Sequence, residues 1–375
     1  MDSYDAIVVG ARCAGSATAM LLARAGLDVL LVDRTDPTRD TLSTHALMRG
    51  GVLQLERWGL LDAIVAAGTP PVGTTTFHYG PPLSATTQVE TVEMAAPLYA
   101  PRRTVLDGVL LDGARAAGAT VRLGVDVTGL LRCDDRVTGV EARVRGGGTL
   151  RAHAPLTVGA DGARSTMATL VGAGTVRRGR AASAIVYGYF PAPATGYEWF
   201  YVPGATAGII PTTDGLACVW AGMPPAEFAA GRPRGLEVLF DEVFGRAAGV
   251  ALGERQGPLR GFPGAPAVLR TPTGPGWALV GDAGYFKDPL TAHGITDALR
   301  DAELLARSVQ GELDYGRTRD HVSRLLFSVA EEIAGYRWDL AEIRALLRAE
   351  SAAMRPEVRL LRRLDDRGPV GEVAA

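Results

Sequence analysis

Cysteine is scarce in this chain of 375 residues: Cys13, Cys133 and Cys218 stand far apart, with no Cys-x-x-Cys pair among them. That pattern excludes a disulfide framework and a thiolate zinc site. It leaves the three as small buried hydrophobes of a reducing compartment. Histidine is almost as rare. His45, His78, His153, His293 and His321 include no pair at metal-ligand spacing, so no metal site is expected. No stretch of about 20 apolar residues runs free of charge, which excludes a membrane-spanning helix. Asp2 and Asp5 interrupt the start where a signal peptide would be apolar, so the expected home is the cytoplasm. A net charge of -2, without a basic stripe, argues against a nucleic-acid partner. No internal repeat or low-complexity linker is found.

What remains is an ordinary globular composition, 47% hydrophobic and 21% charged, long enough for two or three domains. The chain opens with a strand–helix–strand unit of about 30 residues. Residues 4–9 read as a buried strand, 14–25 as a helix, and 28–32 as a second buried strand ending at Asp33. Between strand and helix lies Gly10-Ala11-Arg12-Cys13-Ala14-Gly15. This is a dinucleotide-binding loop with its middle glycine replaced by Arg12. Gly10 permits the tight turn and Gly15 the close packing of helix on strand. The helix N-terminus offers unpaired N–H groups and a positive dipole to a pyrophosphate. Arg12 must turn its side chain away or touch the cofactor itself. Asp33, 18 residues beyond Gly15, stands where a carboxylate meets ribose hydroxyls. Arg34 is either an adenine contact or a surface charge.

Further along, 48–67 and 104–117 read as helices, and 121–127, 137–144 and 150–158 as strands. Gly146-Gly147-Gly148 reads as a hairpin turn. Residues 183–222 form short strands that hold eight of the 24 aromatic residues. A short helix near 235–244, a buried strand at 277–280, a helix at 294–310 and a helical segment over 319–363 complete the chain.

Three further motifs select the dinucleotide. Val158-Gly159-Ala160-Asp161-Gly162-Ala163-Arg164-Ser165 resembles the Asp-Gly motif of flavin monooxygenases related to p-hydroxybenzoate hydroxylase. Gly281-Asp282-Ala283-Gly284-Tyr285-Phe286-Lys287-Asp288-Pro289 resembles that family's Gly-Asp motif, and Arg103-Thr104-Val105-Leu106-Asp107 its Arg-x-x-Leu-Asp helix start. The resemblance spans residues 7–305 and implies FAD as cofactor. By position it implies Gly10, Ala14 and Gly15 along the pyrophosphate and Arg103 beside the pyrophosphate or ribitol. It puts Asp33 on the adenosine ribose, Val127 near the adenine and Asp282 on a ribitol hydroxyl. Pro289 and the Gly294-Ile295 backbone would lie against the isoalloxazine. Ala11, Arg12, Cys13, Asp161 and Gly281 complete the cofactor set. The family often has His where Tyr285 stands and Asn where Asp297 or Thr296 stands. The same motifs resemble isoprenoid-chain reductases and flavin halogenases, although no counterpart of the halogenase lysine is found.

The fold expected is α/β: a Rossmann-like FAD-binding domain with an inserted antiparallel β-sheet substrate domain and C-terminal helices. The FAD domain would take 1–72, 98–180 and 265–315, the substrate sheet 73–97 and 181–264, and the helical segment 316–375. The expected activity is an FAD-dependent monooxygenase that uses O2 and transient NADH or NADPH on an apolar, aromatic or polycyclic small molecule. The alternatives are a reductase of carbon–carbon double bonds, a halogenase, or a non-catalytic flavin-binding protein. No catalytic residue is certain, because the cofactor carries the chemistry; the candidates are His293, Tyr285 and His45. Tyr187, Tyr189, Trp199, Tyr201 and Trp220 are the expected substrate residues. Ser165 lacks a nucleophile-elbow context, which sets a hydrolase aside. Lys287 and Asp288 are expected to pin their loop. Denatured protein should release one FAD per chain; FMN alone, or no flavin after reconstitution, would overturn the assignment.

Overall fold

In the computed structural model, which describes residues 2–37, 39–192 and 194–366, four sheets and the helices packed on them build the fold. The six-stranded sheet runs in the order Thr273–Gly274, Trp277–Leu279, Leu156–Gly159, Ala6–Val9, Val29–Asp33, Thr120–Leu123. All its pairs are parallel except the short first one. A strand buried on both faces needs an uninterrupted apolar run. Ala6–Val9 (Ala-Ile-Val-Val) and Val29–Val32 (Val-Leu-Leu-Val) supply it, and all eight residues are buried. Helix Cys13–Arg24 crosses between them, and helices Arg103–Ala116 and Gly294–Val309 pack beside it.

The seven-stranded sheet runs Gln256–Phe262, Ala184–Pro191, Leu216–Met223, Ala205–Pro211, Tyr197–Val202, Val72–Tyr79, Gln88–Leu98. One pair, Tyr197–Val202 with Val72–Tyr79, is parallel; the others are antiparallel. Alternation along each strand divides its side chains between two cores. Tyr187, Tyr189, Tyr197, Trp199, Tyr201 and Trp220 join the main core, shared with the nucleotide-fold helices and the C-terminal helices. Phe190 and Phe200 join a second core against helix Leu236–Ala247.

Several boundaries differ from the sequence reading. The strand expected over 121–127 is two strands in two sheets, Thr120–Leu123 and Val125–Cys133, because Gly124 turns the chain with φ +75. That expected over 150–158 likewise divides, at Pro155, into Thr149–His153 and Leu156–Gly159. The 48–67 helix breaks at Gly59 into Arg49–Arg57 and Leu61–Ala66. The C-terminal segment is two helices, Tyr315–Ala334 and Leu340–Asp366. Gly146, Gly147 and Gly148 do form the hairpin turn between Arg136–Val144 and Thr149–His153. No described helix is long and apolar enough to cross a membrane.

A buried charge network joins these parts. Arg300 is 0% exposed. Its Nη1 donates to Asp297 at 2.6 Å and to Glu357 of the last helix at 2.8 Å, and its Nη2 to Asp301 at 2.7 Å. The other Asp301 oxygen accepts the Gly281 N–H at 3.0 Å. Removing one partner of such a buried cluster leaves unpaired charge, at a cost of about 3–5 kcal/mol. Arg300→Met should lower the urea midpoint accordingly, and more than Arg143→Met, which removes an exposed pair with Asp126. Equal losses would show that the network adds nothing.

Candidate functional site

Residues of both large sheets line one cavity of about 500 Å³. Its wall includes Gly10 and Arg12–Ala14 of the first loop, Asp33–Thr35, the loop Thr41–Ala46, and Arg103. It continues through Val125–Val127, Ala160–Arg164, Ile185, Tyr187, Asp282, Phe286–Pro289, Ala292, Gly294 and Ile295. The four sequence motifs, spread over nearly 300 residues, therefore meet in one place.

The first loop adopts the geometry its glycines suggest. Gly10 has φ +107, and a β-carbon there would lie 2.5 Å from the Ala160 carbonyl oxygen. Gly15 packs directly over Gly10, where a β-carbon would overlap the Gly10 carbonyl. Arg12, at the replaced middle position, needs no glycine: its backbone is extended, with φ -87 and ψ -167. Its guanidinium is turned to Asp107 at 2.9 Å and to the Arg39 carbonyl at 3.2 Å. Asp107 is fully buried and also accepts the Cys13 N–H at 3.1 Å and Arg103 Nη2 at 3.0 Å. One carboxylate thus holds the loop, the helix start and Arg103 together. Asp33 latches the loop as well, accepting the Ala11 N–H at 2.8 Å and the Thr35 N–H at 2.8 Å.

At the Gly-Asp turn, a β-carbon on Gly281 would come within 3.0 Å of the Ala14 methyl and 3.3 Å of the Ala298 methyl. The turn is therefore wedged between the starts of two helices. Burial pushes the Asp282 carboxyl up to about 6, although Lys287 and Arg103 act to lower it. Its side chain faces the cavity with no hydrogen-bond partner among the described residues. Gly294 opens helix Gly294–Val309 on the same wall, and a β-carbon there would meet nothing nearer than Asp282 Oδ1 at 3.9 Å. The N-cap residue of this helix makes no side-chain cap, and at the first helix Asp107 takes the Cys13 N–H but leaves the following N–H groups free of side chains. An unpartnered carboxylate, an uncapped helix N-terminus at Gly294, a second only partly occupied at Cys13–Gly15 and a buried arginine fit a cofactor bearing hydroxyls and phosphates.

Lys287, the one lysine in the sequence, lines the cavity and pairs with Asp297. Burial first, then Arg300, lowers it to about 7. Asp288 accepts the Ser183 N–H at 2.6 Å and the Leu290 N–H at 3.0 Å, tying the loop to strand Ala184–Pro191. Burial raises its carboxyl to about 7. Asp161 lines the cavity and accepts the Met167 N–H at 3.0 Å, while Ser165 caps helix Thr166–Leu170.

Two of the three candidate catalytic residues are turned away. His293 is absent from the wall; its Nε2 lies 3.1 Å from Glu357, and burial lowers its pKa. Tyr285 stacks on Phe327 at 6.2 Å and donates to the Ser323 carbonyl at 3.3 Å. His45 does line the cavity, fully buried. Of the expected substrate residues, Tyr187 alone is on this wall, donating to the Thr41 carbonyl at 3.1 Å. Tyr189, Trp199, Tyr201 and Trp220 share its sheet face but pack inside the main core; Trp199 Nε1 donates to Thr75 at 2.8 Å. Ala11, Gly15 and Gly281 likewise shape the site from behind the wall. His293, Asp297 and Glu357 have ligand atoms within 4.8 Å of one another, close enough to hold a metal ion. Arg300 and Lys287 already supply the positive charge there. Sequence reading gave Asp107, Arg300 and Glu357 no role, for their partners lie up to 95 residues away along the chain.

A family model described as an FAD binding domain matches residues 3–220. The chain belongs to this family of p-hydroxybenzoate hydroxylase-like flavoproteins. As a member it is a flavin-dependent oxidoreductase. It is 27% identical to digeranylgeranylglycerophospholipid reductase of Methanosarcina mazei, an alignment covering 84% of this chain and 77% of that protein. It is 29% identical to menaquinone reductase of Mycolicibacterium smegmatis, covering 88% and 83%. Among solved structures, PqsL of Pseudomonas aeruginosa in complex with 2-aminobenzoylacetate has a TM-score of 0.74 at 19% identity, covering 92% of this flavoprotein and all of that chain. The myxobacterial chondrochloren halogenase CndH has a TM-score of 0.74 at 22% identity, covering 99% and 92%. These two structures share the fold with this flavoprotein.

Asp282 carries a pH test. Its charged form accepts hydrogen bonds, and its pKa of about 6 lies above the ordinary carboxylate value. FAD affinity should therefore fall as pH drops through about 6, and binding near that pH should release a proton. Asp282→Asn should weaken FAD binding about 10–100-fold and flatten that dependence. Calorimetry in buffers of different ionisation heat reads the proton; an unchanged slope in the variant would remove Asp282 from the site.

Proposed function

We propose that the protein is an FAD-dependent reductase that saturates carbon–carbon double bonds in an apolar, isoprenoid-type small molecule, with NADH or NADPH as transient electron source. The observation that carries this reading is the full-length kind of its likeness to reductases: relatives of that name align over more than four-fifths of the chain. The sequence alone ranks oxygenation first, on the glycine-opened helix at Gly294 after Pro289, while its motifs are common to oxygenases and reductases.

The site supports the reading. Ile185 and Tyr187 give the cavity an apolar flank on the sheet side. Behind them the aromatic face of the same sheet excludes water, as an apolar chain requires. Bound FAD would supply the two-electron chemistry. Asp282 would hold a ribitol hydroxyl, Arg103 and the Ala14 N–H the phosphates, and Asp33 the adenosine ribose. The N-terminus at Gly294 would stabilise negative charge against it. Lys287, paired with Asp297, would balance that charge from the same wall.

Oxygenation stays as the second reading, favoured by the open space at Gly294, where oxygen could reach the cofactor. The two readings part in one experiment. Flavin-loaded protein is reduced and incubated with menaquinone or a geranylgeranyl lipid, without oxygen and then under labelled oxygen. The reductase gives an anaerobic product heavier by two hydrogens. A labelled product made only with oxygen would overturn it.

A further inference from the structure

His45 sits in the cavity-lining loop Thr41–Ala46, 1% exposed, with a left-handed φ of +67. A histidine held there is strained, and such strain persists where the surroundings over-determine it. Here they do: Ser43 Oγ accepts the His45 backbone N–H at 3.1 Å, and the ring Nε2 lies 2.6 Å from the Tyr189 hydroxyl. The Arg102 guanidinium lies over the Tyr189 ring, 4.1 Å from its centroid. The other ring nitrogen, Nδ1, is buried with no partner.

We propose that Tyr189 is a positioning residue that fixes the His45 proton on Nδ1, where it serves as a hydrogen-bond donor to a carbonyl oxygen of the molecule bound in the cavity. The argument is one of proton counting. The Tyr189 phenol has one proton and, among the described residues, one hydrogen-bonding neighbour, His45 Nε2. If Nε2 carried a hydrogen, the phenol oxygen would accept it and the phenol proton, on a residue that does not line the cavity, would be left with no acceptor in a dry core. The phenol therefore donates to Nε2. The ring is not a cation: burial first, then Arg103, Arg102 and Arg260, holds its pKa down to about 3. Tyr189 does not ionise to change this, since burial and its neighbours Cys218, Tyr187 and Asp40 push it far above the ordinary phenol range. A neutral ring whose Nε2 accepts must carry its hydrogen on Nδ1. That hydrogen then has no acceptor in the protein, and buried donors are rarely left so. The occupant of the cavity is the remaining source of one.

The acceptor could be a carbonyl of the flavin or of the substrate, and this part rests on the cavity being their site. The tautomer does not. Protein labelled with nitrogen-15 at histidine, with the His45 signal assigned by its loss in His45→Asn, should show the Nδ1–H pattern unchanged from pH 5 to 8. In Tyr189→Phe that preference should disappear. An Nε2–H pattern in the unmodified protein, or the same pattern in Tyr189→Phe, would overturn the proposal. For the acceptor, His45→Ala and His45→Asn are compared; asparagine tolerates the left-handed backbone and keeps an N–H donor. If the flavin is the acceptor, His45→Ala weakens FAD binding about tenfold and His45→Asn restores most of it. If the substrate is, FAD binding is unchanged and the KM for menaquinone rises about tenfold in His45→Ala, again with partial rescue. No change in either quantity would show that the Nδ1 hydrogen meets no ligand. Failure of the reductase reading would leave the tautomer and the FAD-binding results standing.

Discussion

The buried guanidinium of Arg300 is the contact on which the arrangement of the site depends. It lies among the carboxylates of Asp297, Asp301 and Glu357, each of which does a second thing. Asp301 holds the Gly281 N–H, Asp297 holds Lys287, and Glu357 meets His293 from the last helix. Charges this deep are tolerated only when paired and hydrogen-bonded. The pairing therefore forces the Gly-Asp turn, the helix that opens at Gly294 and the C-terminal helix into one relative position. Without the last helix, Arg300 and His293 would each lose a carboxylate partner.

Asp107 does the equivalent work at the start of the first helix. It binds Arg12, the Cys13 N–H and Arg103. This explains how the loop dispenses with its middle glycine. The backbone at that position is extended, and the side chain is drawn out toward Asp107 instead of over the helix N-terminus. The cation is near the cavity, which suits an anionic ligand, yet it is anchored to a buried carboxylate and does not fill the space.

The aromatic sheet face has two roles that its composition alone does not separate. Tyr187 belongs to the cavity wall, whereas Tyr189 reaches the cavity only through His45. Trp199, Tyr201 and Trp220 make the main core, with Tyr201 edge-on to Trp338 at 6.3 Å. The C-terminal helices and the seven-stranded sheet thus share one dry layer.

The sequence by itself determined the nucleotide fold, the glycine loop, the order of the four motifs and the aromatic sheet. Each is local: apolar runs, turn glycines and alternation act within a few residues. From the same local information it ranked oxygenation above reduction, and it placed His293 and Tyr285 as candidates because they neighbour the Gly-Asp motif along the chain. Tertiary structure alone decided that His293 and Tyr285 point into ion-pair and aromatic contacts, that Arg12 pairs with Asp107, and that His45 meets Tyr189 144 residues away. Those outcomes depend on where buried charge and buried protons find partners. A partner is chosen by distance in space, which no spacing along the chain encodes.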